Sequence, residues 1–192
     1  MVTQEITPLD SKDMQIVSLL SVNPDVSQEE IASKVRLSQP AIGMRIKKLK
    51  ALGILSKQWG LNLQKAGLYL GKVDIAAKSI KDVLKRFERC PFFLNGFITS
   101  GRNNLCLLLI GEDLSSLQSM IDHHLRENSA VERVEDCIII SASKKILYLM
   151  GYTGEKASAG PCGSSCETCP CYRSGDCLGC PASTSYRGKL WR

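Results

Sequence analysis

The sequence lacks any apolar stretch approaching the roughly 20 residues that a bilayer-spanning helix needs. Its first residues, Met1 to Asp10, carry acidic and polar groups and lack the apolar run of a secretory signal. It also has no phosphate-binding glycine loop, no catalytic triad and no paired carboxylate site. We therefore expect a cytoplasmic protein that does not insert into a membrane and is not an enzyme.

Acidic residues are missing from a long internal stretch. None occurs between Glu30 and Asp74, whereas nine lysine and arginine residues do, in a chain of formal net charge +6. A positive surface without carboxylates around one helix is what the phosphate backbone of a nucleic acid requires. This pattern favours double-stranded DNA as a partner.

The composition along the chain predicts three segments and an α+β protein. Residues 1–65 are predicted to form a winged helix-turn-helix domain that binds DNA. Residues 66–150 are predicted to form a ferredoxin-like domain for dimerisation and effector binding. Residues 151–192 have too few aliphatic side chains to build a core, so we expect a small cysteine motif stapled by metal.

Three short helices with polar start signals are predicted in the first segment. Asp10, Ser27 and Ser38 stand where a side chain can accept a first-turn N–H group, and Glu30 would complete a capping box with Ser27. Gly53 stands where the third helix should end.

The third helix carries the candidate DNA contacts. The residues that follow it, 54–59, predict a short strand that begins a wing, with Trp59 packed beneath it. Four residues at the start and on the outer face of the helix could reach base edges, namely Ser38, Gln39, Ala41 and Met44. The neighbouring cations are expected to hold phosphates, and they are Arg36, Arg45, Lys47, Lys48 and Lys57.

Strands and helices alternate in the second segment. Apolar runs predict strands, and apolar residues at helical spacing predict two helices around residues 80–87 and 114–125. The resulting order, βαββαβ, is that of the ferredoxin-like fold. The strands are predicted at residues 68–76, 92–99, 105–110 and 134–141, with a candidate fifth at 146–150.

Two of these strands are apolar at consecutive positions, in residues 107–110 and 138–140. Strands of this kind are covered on both faces. Two helices cover one face only, and a second copy of the chain is the simplest cover for the other. A homodimer is therefore expected.

The first segment resembles the Lrp/AsnC (feast/famine) family of transcriptional regulators. The resemblance rests on Leu9 to Ile16, with the pattern L-D-x-x-D-x-x-I, and on residues 27–35, 37–38, 45–49 and 52–54. It continues through the βαββαβ region to about Met150. It implies a homodimer formed through the ferredoxin-like domains, often assembled further, that binds palindromic operators.

The same resemblance implies an effector site. Family members commonly sense amino acids between these domains, near a glycine turn that links the second and third strands. Gly101 matches that turn, while Asn104 stands where many members have Asp. A small-molecule effector is thus an open expectation.

Six of the nine cysteines lie between Cys162 and Cys180. In a chain without an export signal, such a cluster predicts metal rather than disulfides. The spacing suits either a zinc knuckle built from C-x2-C pairs or a [4Fe–4S] cluster bound by a C-x3-C-x2-C triplet and a later cysteine. The candidate ligands are Cys162, Cys166, Cys169, Cys177 and Cys180, with Cys171 as an alternative.

The cysteine run is also similar to short motifs in proteins from anaerobic prokaryotes, which mostly imply an iron–sulfur cluster and sometimes zinc. Cys90, Cys106 and Cys137 are predicted to be small buried apolar residues. The adjacent His123 and His124 are expected to point in different directions, which makes them a poor metal pair.

Three hypotheses follow. The first is a transcriptional regulator that responds to redox state or iron through a [4Fe–4S] cluster. The second is a regulator with structural zinc and a separate small-molecule signal, such as an amino acid. The third is a cluster-dependent redox protein, although the sequence offers one candidate cluster and no catalytic constellation.

Overall fold

The computed structural model describes residues 8–149 and 156–190. Two compact units are present, the first ending at Trp59 and the second beginning at Gly60. Within the described ranges, no helix is both long enough and apolar enough to cross a membrane.

Three helices form the first unit. They are α1 at Ser11–Val22, α2 at Gln28–Val35 and α3 at Gln39–Ala51. Their core contains the fully buried side chains of Ile16, Ile31 and Ile42, one from each helix. The predicted three-helix segment is therefore confirmed.

The predicted helix caps are confirmed as well. The side chains of Asp10, Ser27 and Ser38 accept a first-turn backbone N–H at 2.7, 3.1 and 3.4 Å, respectively. The capping box predicted at Ser27 is not formed, because the Glu30 carboxylate pairs with Lys34 at 2.7 Å instead. The Glu30 carboxylate is thus paired with a lysine one turn further along α2 instead of with the backbone at the start of the helix.

The predicted wing strand is wrong. Residues 55–60 have no regular secondary structure, and Trp59 is 82% exposed rather than packed beneath a strand. A strand needs a partner for its backbone groups, and the described part of the first unit contains no other strand. The first strand, β1, comes later, at Leu61–Asn62.

A four-stranded antiparallel sheet organises the second unit. Its strands are β2 at Tyr69–Ala77, β3 at Phe93–Ile98, β4 at Leu105–Gly111 and β5 at Val131–Ile138. Helix α4, Ile80–Phe87, follows β2, and helix α5, Leu114–Ile121, follows β4. The order across the sheet is β3-β4-β2-β5, which confirms the predicted βαββαβ arrangement.

Two strand predictions need correction. Strand β5 starts and ends earlier than the predicted range of 134–141, and Ile140 lies beyond it. The candidate fifth strand is β6, Leu147–Tyr148, which pairs with β1 rather than with the main sheet. Residue 150, at the end of that predicted strand, lies outside the described residues.

Both helices pack on one face of the sheet, and glycines allow them to come close. A Cβ atom at Gly71 would lie 3.2 Å from Leu117 of α5. A Cβ atom at Gly96 would lie 3.0 Å from Leu84 of α4. The side chains between these helices and the sheet form the main core, including the fully buried Val73.

Among the described elements, no helix covers the opposite face of the sheet. Lys72 and Asp74 form an ion pair there, and Phe97 is 46% exposed. On the same face Leu108 of β4 is only half buried. This face therefore leaves apolar side chains partly exposed.

Residues 156–190, which we call the cysteine segment, pack against α5 within the second unit. Ser115 Oγ and Ser119 Oγ donate to the carbonyl oxygen of Asp176 at 2.8 and 3.3 Å. The Leu178 N–H donates to the buried Ser116 Oγ at 2.9 Å. The segment contains a 3-10 turn, Cys166–Thr168, and a short helix α6, Pro170–Ser174. A segment without a core of its own is thus held by the neighbouring helix.

Candidate nucleic-acid interface and metal centre

Helix α3 buries one face and exposes the other. Its buried side chains are Ile42, Ile46 and Leu49. Of the predicted base contacts, Met44 is 70% exposed and Ala41 is half buried. The other predicted contact residues that are exposed are Arg36, Ser38, Gln39, Lys47, Lys48 and Lys57.

A tight turn sets α3 against α2. Arg36 adopts a left-handed backbone conformation, with φ of 59°, and its N–H bonds to the Ala32 carbonyl. Such a conformation costs a residue with a Cβ about 1–2 kcal/mol, which the packing of the two helices must offset. Gly43 permits the close approach, because a Cβ there would lie 3.1 Å from Gln28 Oε1. This is the helix-turn-helix geometry in which the second helix enters a major groove.

The expectation of a carboxylate-free surface is wrong. The guanidinium of Arg45 lies 2.6 Å from Asp10 and 2.7 Å from Asp13, and Lys57 lies 2.5 Å from Asp25. The backbone N–H of Asp13 and the Arg45 side chain together lower the pKa of Asp10. Folding brings these carboxylates in from α1 and from the turn after it, so sequence distance alone misjudges the local charge.

A smaller positive surface remains around α3. Arg36, Lys47, Lys48 and Lys50 are exposed, and none of them has an ion pair with another described residue. These four cations are available to phosphate oxygens. Arg45 and Lys57 would first have to leave their carboxylates, and their roles as phosphate contacts remain predictions. We call the four the α3 cation surface.

The two residues of the implied effector site, Gly101 and Asn104, have different surroundings. Gly101 lies in an exposed turn between β3 and β4 with φ of 118°, a conformation that favours glycine. Asn104 uses its side chain within the sheet: its Oδ1 accepts the Ala77 N–H at 2.8 Å, and its Nδ2 donates to the Ala77 carbonyl at 2.9 Å. The Asn104 amide is thus occupied by backbone.

All six cysteines of the C-terminal segment line one cavity of about 60 Å³. This is several times the space that one water molecule requires. The segment forms one wall of the cavity, and the ferredoxin-like domain forms the other. The second wall includes Cys90, Phe92, Ser119, Met120, His123 and His124.

The sulfur atoms are close enough to influence one another. Cys180 Sγ and Cys162 Sγ both flank Gly160, at 3.3 and 3.5 Å from the position that a Cβ there would take. Burial raises the pKa of Cys180 to about 12, with a further rise from the charge of Cys162, Cys166 and Cys177. Without a bound cation the cavity therefore favours neutral thiols, and a positive metal would reverse that preference.

The donor set fits a group bound through sulfur. Thiolates select zinc, copper(I) or iron–sulfur clusters rather than magnesium or calcium. In the described ranges, no three His, Cys, Asp or Glu side chains converge closely enough to hold a single metal ion. The lining cysteines could ligate either of the two expected groups, a zinc ion or an iron–sulfur cluster.

Cys90 is a cavity residue that the sequence interpretation missed. The prediction that Cys90, Cys106 and Cys137 are all buried apolar residues is confirmed only for Cys106. Cys137 is exposed, and Cys90 is half buried on the cavity wall. One feature of the sequence could have pointed to it: Cys90 is followed by proline, as the predicted ligand Cys180 is.

The two histidines also lie on this wall. A π-helical turn, Asp122–Arg126, continues α5 and brings the ring centroids of His123 and His124 to 4.9 Å from each other. Burial is the main cause that lowers the pKa of His124 to about 4, so this ring is neutral. π-helical turns of this kind are frequent at functional sites.

Comparison with known proteins gives consistent matches. Residues 9–50 match the AsnC-type helix-turn-helix domain. An uncharacterised helix-turn-helix transcriptional regulator of Pyrococcus horikoshii, PH0061, is 30% identical over 142 residues, which cover 71% of this chain and 95% of that protein. A second regulator from the same organism, PH1013, is 27% identical over 159 residues, covering 78% and 98%.

Solved structures agree with the fold. The crystal structure of PH0061 superposes with a TM-score of 0.63 at 28% identity, covering 74% of this chain and all of the other. The structure of AsnC from Escherichia coli superposes with a TM-score of 0.65 at 19% identity, covering 72% and 96%. The second match is similar in fold only.

Proposed function

This chain belongs to the Lrp/AsnC family of DNA-binding transcriptional regulators, and we propose that it controls transcription in response to redox state or iron. In this proposal a [4Fe–4S] cluster in the cysteine segment is the sensor. The observation that carries the proposal is the shared cavity: six cysteines face one space, and the other wall belongs to the ferredoxin-like domain.

DNA binding is assigned to α3. A homodimer formed through the open faces of the sheets would place two α3 helices in successive major grooves of a palindromic operator. Ser38, Gln39, Ala41 and Met44 would reach the bases. The α3 cation surface would hold phosphates, and these contacts would give affinity and register rather than sequence preference.

The sensor is assigned to Cys162, Cys166, Cys169, Cys177 and Cys180, with Cys171 as the alternative ligand. Four thiolates from this set would suffice for one cluster. When bound, such a cluster supplies a site whose charge and ligation change with its redox state or with loss of iron. The remaining thiols are then available to replace a ligand that dissociates.

The path from sensor to scaffold runs through α5. Cys177 lies between Asp176 and Leu178, whose backbone groups are bonded to serines of α5 at 2.8–3.3 Å. A change of ligation at Cys177 therefore acts on a segment that is tied to the helix packed on the sheet. The sheet carries the open face through which we propose that the chains pair, so the state of the cluster would alter pairing and operator affinity.

One anaerobic purification followed by a binding measurement tests the proposal. Iron, sulfide and zinc are quantified per chain, and operator affinity is then compared at fixed salt for the loaded and the metal-depleted protein. We expect iron and sulfide in equal amounts, a brown colour and different affinities in the two states. Colourless protein with stoichiometric zinc would support the zinc regulator instead, and equal affinities would refute the switch.

A double variant, C177S/C180S, sharpens this test. It removes two predicted ligands and should lower the iron and sulfide content per chain and speed iron loss to a chelator. The matched control is C137S, which removes an exposed thiol of β5 that does not line the cavity. The control should retain the iron and sulfide content of the wild type.

A further inference from the structure

We infer that Cys90, a residue of the ferredoxin-like domain, is itself a thiolate ligand of the metal cluster. The cluster would then be shared between the cysteine segment and the ferredoxin-like domain instead of belonging to the segment alone. This inference rests on the proposed function, because it assumes that the cavity holds a cluster.

The position of Cys90 provides the first argument. It lies in the turn between α4 and β3 and lines the same cavity as the six cysteines of residues 162–180. Thiols on both walls of the cavity could reach a bound cluster. The segment supplies one wall, and Cys90 is the cysteine on the opposite wall among the residues that line the cavity.

The local backbone provides the second argument. The N–H of Gly179 points at Cys177 Sγ at 3.4 Å, two residues after the cysteine. The backbone amides of Ala182 and Phe92 act in the same sense on Cys180 and Cys90, although burial outweighs them and raises the pKa of both thiols. Hydrogen bonds of this kind stabilise a thiolate and are among the interactions that tune iron–sulfur centres.

The sequence around Cys90 repeats that around Cys180. Cys90-Pro91-Phe92 and Cys180-Pro181-Ala182 both have proline after the cysteine and an amide directed at sulfur from the residue after it. Cys90 therefore has the same local sequence and backbone surroundings as a predicted ligand.

The other two cysteines outside the segment lie in a different part of the ferredoxin-like domain from Cys90. Cys106 of β4 and Cys137 of β5 pair in register with Asp74 and Lys72 on the open face of the sheet. Neither lines the cavity, which lies on the side of α5. They therefore serve as controls for the loss of a thiol elsewhere in the same domain.

The test uses the full chain, purified anaerobically as wild type, C90S, C90A and C137S. Iron and sulfide per chain, the EPR spectrum after dithionite reduction, and the rate of iron loss to a chelator are measured. We expect iron loss to accelerate at least about tenfold in C90A, since even outer-shell changes cost about 10–100-fold in metal affinity. C90S should retain some cluster with an altered EPR spectrum, because oxygen would replace sulfur at one iron. C137S should match the wild type.

Each remaining outcome is decisive. If C90S and C90A retain the iron, sulfide, EPR spectrum and chelator resistance of a loaded wild type, Cys90 is not a ligand and the cluster stands without it. If the metal-free C90S and C90A unfold by circular dichroism while the metal-free wild type remains folded, Cys90 has a packing role. A wild type that takes up no iron overturns the cluster itself and, with it, the ligand role of Cys90.

Discussion

Replacing Lys47 by alanine tests whether α3 is the surface that contacts DNA. Lys47 is exposed on α3, away from the buried Ile42 and Ile46, and has no carboxylate partner among the described residues. Its charge is therefore available to a phosphate, unlike that of Arg45. The measurement is operator affinity as a function of salt, by fluorescence anisotropy, for the wild type and the variant.

The expected magnitude follows from counterion release. Each phosphate neutralised on B-DNA contributes about 0.9 to the slope of log affinity against log salt. The proposed homodimer would present Lys47 twice, so K47A should reduce that slope by about 1.8. Extrapolated from 1 M salt, this corresponds to an affinity roughly 60-fold weaker at 0.1 M salt, with little difference at high salt. The loss should be similar for specific and non-specific duplexes, because phosphates carry no sequence information.

A matched variant separates a local contact from a general loss of charge. K81A removes one cation per chain from α4, in the second unit, and so changes the net charge by the same amount. We expect its salt slope to equal that of the wild type. If K47A left the slope unchanged, or if K81A reduced it equally, the assignment of the DNA contact to α3 would be refuted.

Two further predictions concern interactions within each of the two units. R45A should lower the denaturant midpoint of the first unit, because Asp13 is mostly buried and would lose its partner. The pKa of Asp10 is lowered below 3.8 in the folded chain. Its contribution to the free energy of unfolding is therefore present above about pH 4 and is lost as the pH falls through the folded pKa. Because Arg45 is one cause of the lowered pKa, R45A should weaken this acid-induced loss of stability in urea titrations. S116A should leave the Leu178 N–H without its acceptor, at a local cost of about 1–3 kcal/mol. Faster amide hydrogen exchange in the cysteine segment would reveal this cost, whereas unchanged exchange would mean that α5 does not hold the segment.

Features that depend on neighbouring residues were predictable from the sequence. Asp10, Ser27 and Ser38 cap their helices as predicted, because a cap requires only a polar side chain and the N–H groups two or three residues later. The βαββαβ order follows from apolar periodicity in the same way. The wing strand at 54–59 failed because a strand depends on a partner that local sequence does not specify.

Features that depend on distant residues were not predictable. Nothing near Arg45 in the sequence is acidic, yet its guanidinium lies between Asp10 and Asp13, more than 30 residues earlier. The run from Cys162 to Cys180 predicted a metal site, but the second wall with Cys90 is formed only once the segment packs against α5. Cysteine spacing identifies candidate metal ligands within one segment. A cavity that forms between two segments can be recognised only in the folded structure.

The cysteine segment shows how a part without a core can still be coupled to the rest of the molecule. Its backbone is tied to α5 through Ser115, Ser116 and Ser119, which are three small hydroxyl residues on one helix. Each of these bonds contributes about 0.5–1.5 kcal/mol, and the packing of Tyr186 and Leu190 against the main core adds to them. The proposed metal group would add further bonds to the same segment. Its loss should therefore weaken the docking of the segment on α5 more than it weakens the sheet, which is the difference that the proposed sensor requires.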